Sequence, residues 1–339
     1  MVDIDSAERH VVTLKDVAVA SGVSISTVSR VLDDRTPRSK SATAQRVRTI
    51  ADELGYRRNV SASSLRRGVT GTLGVLVPRL TDAVMALMFE AVERAAHRRG
   101  YFAVVATCGD DADEERRATE TLLGRGVDGL VLATARLDDA LPASLRERGI
   151  PHVLALRSDG VSPSSLGDDE TGGYLAVRHL LDLGHRDIGV ITGPPFTSSG
   201  RDRRAGAERA LREAGVELAQ GRVLAAGYGL DHGIEAARHL LSGRHHPTGV
   251  FAANDNLAVG VATVAQSLGM AAGPDLSIVG YNDIPLVSRL PVPLTSVRTH
   301  FDRIAEIALD MVLDADGAGR IERTMPTLIP RASTAPPRH

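Results

Sequence analysis

Thr13-Leu14-Lys15-Asp16-Val17-Ala18-Val19-Ala20-Ser21-Gly22-Val23-Ser24-Ile25-Ser26-Thr27-Val28-Ser29-Arg30-Val31-Leu32 decides how the chain is read. Thr13 followed three residues later by Asp16 has the form of a capping box that opens a helix. Leu14, Val17, Ala18 and Ser21 then recur at helical spacing and predict one apolar, small-residue face. Gly22 ends that helix and turns the chain sharply, because glycine enters the left-handed region without steric cost. Val23 plugs the corner. Ser24 can cap a second helix, with Val28, Val31 and Leu32 inward and Ile25, Ser26, Thr27, Ser29 and Arg30 outward. Two short helices about a glycine turn describe a helix-turn-helix, a motif whose second helix enters the DNA major groove. The outward residues have the chemistry that groove reading needs. Ser26 and Ser29 donate or accept, Ile25 can touch a thymine methyl, and Arg30 can fork onto guanine or phosphate. They equally suit the solvated face of any small helical domain.

Downstream, a third helix is expected at about 43–54, with Val47, Ile50, Ala51 and Leu54 inside and Gly55 closing it. Tyr56-Arg57-Arg58-Asn59-Val60-Ser61-Ala62-Ser63-Ser64-Leu65-Arg66-Arg67-Gly68 follows, basic and just long enough for two helical turns. A helix this short is marginal in water and folds only when something holds it.

Charge separates this end from the rest. Residues 1–70 carry 12 Lys+Arg against 8 Asp+Glu, whereas residues 71–339 carry 28 against 34. Both lysines, Lys15 and Lys40, fall in the basic end. A basic head on an acidic body is expected when only one end meets a polyanion.

From Gly71 onward, apolar runs alternate with helical stretches. Buried strands are expected at 73–77, 102–106, 127–132 and 152–156, with helices at 82–99, 114–125 and 138–148 between them. The alternation repeats with 188–192, 222–225, 249–252 and 276–280. Such patterns describe parallel α/β sheets, and two sets imply two lobes. The expected fold class is a small all-α helix-turn-helix domain joined to a two-lobed α/β body with two parallel-sheet, Rossmann-like lobes.

Five segments carry a resemblance: Thr13-Leu14-Lys15-Asp16-Val17-Ala18, Gly22-Val23-Ser24, Thr27-Val28-Ser29-Arg30-Val31-Leu32, Glu53-Leu54-Gly55-Tyr56 and Asn59-x-x-Ala62-x-x-Leu65. They closely resemble the LacI/GalR family of bacterial regulators, and the resemblance runs on to about residue 330. It implies a DNA-binding domain at 10–58, a hinge helix and linker at 59–70, and a periplasmic-binding-protein-like effector and dimerisation domain at 71–330. Lobe 1 would take about 71–166 and 300–330, lobe 2 about 172–296, with a loose tail at 331–339. It further implies a homodimer on a pseudo-palindromic double-stranded operator, with first-lobe helices such as 82–99 in the dimer contact. Thr13, Ser24, Ile25, Ser26, Thr27, Ser29, Arg30 and Tyr56 would serve the head's DNA contacts. Asn59, Ala62, Leu65 and Arg66 would serve the hinge, with Leu65 as a minor-groove wedge. Three positions depart from the family: Arg58 stands for Pro, Asp33 for Asn and Ala44 for Arg.

Ligands of parallel sheets bind outside the carboxyl ends of the strands, so two facing lobes imply a cleft. Polar groups cluster where that rim is expected. By the resemblance, Ser199, Arg203, Asn254 and Asn282 would hydrogen-bond a small-molecule effector and Tyr228 would supply an aromatic wall. Thr81 and Leu156 complete the candidate set from lobe 1. Arg203 suits vicinal hydroxyls or a carboxylate. Ordinary alternatives stay open: Asn254-Asp255 can simply cap a helix running to Leu268, and Asn282-Asp283 can simply form a turn. Lobe 1 lacks the family's aromatic pair, since Ala83-Val84-Met85 stands there, and Leu156 replaces an acid that grips a sugar hydroxyl. A sugar-like effector remains the first expectation.

Composition excludes other classes. No run of 18 apolar residues exists, so no membrane span is expected. The acidic, polar stretch 1–10 does not read as a secretory signal, and a cytoplasmic location follows. Cys108 is the sole cysteine and excludes an internal disulfide; it is expected to be a small buried hydrophobe. No phosphate loop, Gly-x-Ser-x-Gly elbow or His-Glu-x-x-His helix appears, so no catalytic residue or cofactor is expected. Adjacent His245 and His246 point apart and make a poor metal pair. Two rivals remain: a small-molecule enzyme on the α/β body, and an architectural DNA binder without effector control, which a side-chain-filled cleft would favour.

Overall fold

The computed structural model describes residues 12–33, 39–57, 69–243, 245–314 and 319–338. The expected hinge residues Asn59, Ala62, Leu65 and Arg66, and with them Arg58, lie outside these. The chain divides into two compact units, 1–70 and 71–339.

The first unit holds α1 (Leu14–Ser21), α2 (Ile25–Val31) and α3 (Ala42–Glu53). The capping box forms as expected: the Thr13 amide and hydroxyl both donate to the Asp16 carboxylate at 2.7 Å, and the Asp16 amide returns to the Thr13 hydroxyl. Gly22 takes φ +65°, and its successor's amide closes back on the Ala18 carbonyl. Val17, Ala18, Val28, Val47 and Ala51 make a small core. Ala44 is also buried, so the position where relatives of this pattern carry arginine faces inward here. Leu54 does not join that core: it caps α3 and stays 40% exposed, because the helix ends one residue before it can turn inward.

The second unit has two six-stranded sheets. The first runs in the spatial order β11 (Ile321–Thr324), β5 (Ser164–Gly167), β4 (His152–Ala155), β3 (Gly129–Leu132), β1 (Thr72–Val77), β2 (Phe102–Thr107). The second runs β12 (Thr327–Ile329), β10 (Thr295–Arg298), β9 (Ser277–Asn282), β8 (Gly249–Ala252), β6 (Ile188–Thr192), β7 (Val223–Ala225). All pairings are parallel except β10 with β12. Helices α4 (Ala83–Arg98), α5 (Ala112–Gly124), α6 (Leu141–Glu147) and α11 (Phe301–Leu313) cover the first sheet. Helices α7 (Asp169–Asp182), α8 (Ser198–Glu213), α9 (Leu230–Leu241) and α10 (Asp255–Ser267) cover the second. Central strands β1, β3, β4, β6, β8 and β9 are apolar runs buried almost throughout.

Further sequence expectations are corrected by the fold, and some strands are new to it. Strands 102–106 and 222–225 were expected to be buried; both lie at a sheet edge with one partner, and Phe102 is 65% exposed. Polar strands β5, β10, β11 and β12 escape an apolar-run criterion, since serine, threonine and charged residues fill them. Lobe 1 does not extend to residue 330: the chain crosses a third time between β11 and β12, and β12 pairs in the second sheet. Nor is the tail loose over 331–338. Ser333, 1% exposed, donates to the Ile278 carbonyl at 2.6 Å and accepts from the Thr295 amide at 2.8 Å. The Ala335 carbonyl accepts from the Ser277 hydroxyl at 2.9 Å. The Arg331 and Ala335 amides donate in turn to the Thr295 hydroxyl at 2.8 Å and the Ser277 hydroxyl at 3.0 Å.

Helix α8 lies almost backbone to backbone on α7. A Cβ at Gly173 would fall 2.0 Å from the Arg203 carbonyl, and one at Gly206 would fall 1.9 Å from the Glu170 carbonyl. That close approach fixes where Arg203 enters the space between the lobes.

Candidate functional site: the α2 surface and the interlobe cleft

In the first unit, Ser24 caps α2 by accepting from the Thr27 amide at 3.2 Å, and its hydroxyl also meets those of Ser26 (2.8 Å) and Thr27 (2.9 Å). Ser24, Ile25, Ser26, Ser29 and Arg30 are exposed, and Thr27 is half-buried. They form one surface on a helix held from behind by Val28. Thr13 is exposed at the start of α1, whereas Tyr56 leans on the head's core and donates its amide to the Ala51 carbonyl. A hydrogen-bonding helix face with one apolar and one cationic member is chemically able to read base edges.

In the second unit, side chains from both lobes enclose a small inner chamber of about 30 Å³. Leu156 lines it from the first lobe, and Ser199, Arg203, Tyr228, Asn254 and Asn282 line it from the second. Thr81 does not: it sits exposed in the turn before α4, while the next residue, Asp82, caps that helix and faces the chamber.

Each member is held by its neighbours. Arg203, 6% exposed, donates from Nε to Asp169 at 2.8 Å and from Nη1 to the Ala253 carbonyl at 2.6 Å, and its guanidinium lies 3.7 Å over the Tyr281 ring. Burial opposes its charge, but the Asp169 carboxylate beside it raises its pKa above the ordinary value. The Ser199 hydroxyl meets the Tyr228 hydroxyl at 3.0 Å. Asn254 accepts from the Leu257 amide at 2.8 Å and donates to the Tyr228 carbonyl at 2.9 Å, so it caps α10 while it holds the aromatic wall. Asn282 takes φ +98° and donates to the Thr299 hydroxyl at 3.1 Å; Leu156 takes φ +64°. Non-glycine residues held in the left-handed region collect at sites that a fold shapes for a purpose.

Beside the inner chamber lies an outer one of about 640 Å³, which shares Asp82, Arg157 and Tyr228 with it. Its lining is apolar over Pro194, Phe196, Leu224 and Ala226 and charged over Arg79, Asp110 and Glu235. Direct contacts join the lobes at this end: the Leu137 amide donates to the Phe196 carbonyl at 2.9 Å, Arg136 stacks 3.8 Å over the Phe196 ring, and the Ser158 amide donates to the Ser198 hydroxyl at 2.9 Å. Asp82 and Arg157 are cleft residues that the sequence did not single out, nor did it single out Asp169, which holds Arg203 from behind. Arg157, a charge directly beyond the carboxyl end of a buried strand, carried the signal. Cys108 is buried as expected, and burial pushes its thiol up to about 12. Among the described residues no group of three metal-binding side chains forms, and no helix is long and apolar enough to cross a membrane.

Residues 13–59 match the model for bacterial regulatory proteins of the lacI family, and residues 177–334 match the periplasmic binding protein-like domain. The chain is 32% identical over 332 residues to the HTH-type transcriptional repressor PurR of Serratia proteamaculans, covering 95% of this chain and 97% of that one. The chain belongs to the LacI family. This LacI-family regulator is also 34% identical over 306 residues to the ribose operon repressor of Escherichia coli, covering 89% of this chain and 92% of that one. Its fold is similar to that of the lac repressor dimer solved with operator and the anti-inducer ONPF, at a TM-score of 0.84 and 26% identity over 96% of this chain and 99% of that one. These relatives are transcriptional repressors, not enzymes, which removes the enzyme rival.

Proposed function

We propose that this LacI-family regulator represses transcription as a cytoplasmic homodimer on a pseudo-palindromic operator. Ser24, Ile25, Ser26, Thr27, Ser29 and Arg30 face the major groove, with Thr13 and Tyr56 flanking it and Asn59, Ala62, Leu65 and Arg66 at the minor groove. A small molecule, a carbohydrate or a derivative of one, binds between the lobes through Ser199, Arg203, Tyr228, Asn254 and Asn282 and sets the affinity for DNA. The observation that carries this reading is the convergence of five polar side chains from several second-lobe elements on one interlobe chamber, in a chain whose head belongs to a DNA-binding family. The dimer and operator of the lac repressor, and the ribose operon named for the E. coli relative, support the same assignment.

Selection from randomised duplexes at near-physiological salt tests it. A two-fold symmetric consensus is expected, one α2 per half-site. Enrichment of no symmetric consensus removes the sequence-specific repressor.

One observation favours the second rival, an effector-independent DNA binder: side chains nearly fill the inner chamber, leaving about 30 Å³ where ligand pockets hold roughly 300 Å³ or more. The adjoining 640 Å³ space answers it, because that volume lies within the ligand-pocket range.

A further inference from the structure

Arg157 stands where the inner and outer chambers meet and lines both. It is 5% exposed, and burial works against its charge. Of its five N–H donors, one makes a hydrogen bond within the described residues, from Nη1 to the Thr134 carbonyl at a long 3.4 Å. Its guanidinium lies 5.7 Å from the centre of the Tyr228 ring. No carboxylate among the described residues comes within 4.0 Å of it, in contrast to Arg203, which Asp169 neutralises at 2.8 Å.

Asp110 and Asp82 act on Arg157 from beyond ion-pairing distance. Asp82 accepts from the Val84 amide at the start of α4, and Asp110 pairs with Arg79 at the outer rim. Glu115, further in, accepts from the Thr134 hydroxyl. Residue 156, the neighbour that could have supplied an acid, is leucine. A buried charge is tolerated when it is paired and hydrogen-bonded, and a guanidinium presents a fork that matches the two oxygens of an oxyanion.

We infer that the effector carries an anionic oxygen group, a carboxylate or a phosphate, which binds Arg157 from the outer chamber while the rest of the molecule lies against Pro194, Phe196, Leu224 and Ala226. This rests on the reading of the cleft as an effector site and names the ligand class for it. Neutral hydroxyls can also accept from a guanidinium, but they leave its charge uncompensated once the lobes exclude water. The 30 Å³ inner chamber is too small for a sugar ring, whereas Arg157 is reachable from the 640 Å³ side without displacing Arg203 or Asn282.

The test uses the full chain and matched probes: glucose, glucose 6-phosphate and gluconate, and ribose with ribose 5-phosphate, each followed by thermal shift and by titration calorimetry. At least one anionic member is expected to raise the melting temperature where its neutral parent does not, since a ligand selective for the folded state stabilises by mass action. The phosphate and carboxylate arms tell the two sources apart. Arg157→Met, which keeps the volume, should weaken that binding by at least about tenfold, and Arg157→Lys should weaken it less. Anionic probes that bind Arg157→Met as well as the parent chain overturn the inference, as does a panel in which no anion shifts the melting temperature. Neutral parents that bind as tightly as their anions also overturn it, yet leave the cleft standing as an effector site. The cleft reading itself fails separately, if such neutral binders leave DNA affinity unchanged.

Discussion

Arg203 and Asp169 form an ion pair at 2.8 Å with both side chains more than nine-tenths buried, one on α8 and the other at the first turn of α7. This pair joins the two helices that glycines bring into backbone contact, and it aims Arg203 into the cleft. The side chain that ties these helices together is the one proposed to meet the effector.

Asp169→Asn should lower the stability of the folded chain by about 3 kcal/mol, because it leaves a buried guanidinium without its counter-charge. Urea unfolding followed by fluorescence of the tyrosines in lobe 2 measures it. A change below about 1 kcal/mol would mean that the pair is not a structural element. Arg203→Ala carries the same penalty, so it is a poor probe of effector contact; Ser199→Ala and Tyr228→Phe remove hydroxyls that meet each other and report on the cleft with less disturbance.

Ser24→Ala removes the hydroxyl that accepts from the Thr27 amide. Loss of such a cap costs about 1 kcal/mol, so amide exchange within α2 should accelerate about fivefold in the full chain. Exchange rates that match the parent would place the cap's contribution elsewhere.

Arg30→Ala should weaken binding to a selected operator by about tenfold or more and relax preference at one base position, and Arg30→Lys should not restore that preference. Uniform weakening across all sequences would instead assign Arg30 to the phosphate backbone.

Acidity has a defined sign in this molecule. Burial pushes the Asp255 carboxyl from 3.8 up to about 7, although the Ser296 hydroxyl and the Ile284 amide both donate to it. The folded chain thus holds this proton more tightly than the unfolded chain. The resulting stabilisation is complete below pH 3.8 and is lost as the pH rises through about 7. Glu115, pushed up to about 7 chiefly by burial, has the same sign. The decline in melting temperature between pH 5 and 8 should flatten in Asp255→Asn; an unaltered slope would assign the decline to other groups.

Deleting residues 331–339 should lower the melting temperature by several degrees, since the Thr295 amide and the Ile278 carbonyl lose Ser333 as their partner. Ser333→Ala should reproduce part of the loss. A deletion without effect would restore the picture of a loose tail.

Local chemistry was legible in the residues. The Thr13–Asp16 capping box, the Gly22 turn and the central strands all follow from short-range patterns, and six of the seven expected cleft residues line one chamber. What escaped depends on the third dimension. Polar strands such as β12 are recognisable only once a neighbouring strand exists to pair with them. Thr81 and Asp82 differ by one position in a turn, and only the direction of the cap separates them. Arg157 stands apart only in three dimensions, where no carboxylate among the described residues lies within 4.0 Å of it.

The three lobe crossings lie after β5, after β10 and between β11 and β12; the first and third leave the β11–β5 margin of the first sheet, and the second runs back to the first lobe from β10, beside β12 at the margin of the second. Three straps along a single margin behave as a door hinge: they resist twisting and sliding and leave one swing angle soft. Whatever fills the space opposite that margin works as a wedge. Its thickness, more than the detail of its contacts, then sets how wide the door stands.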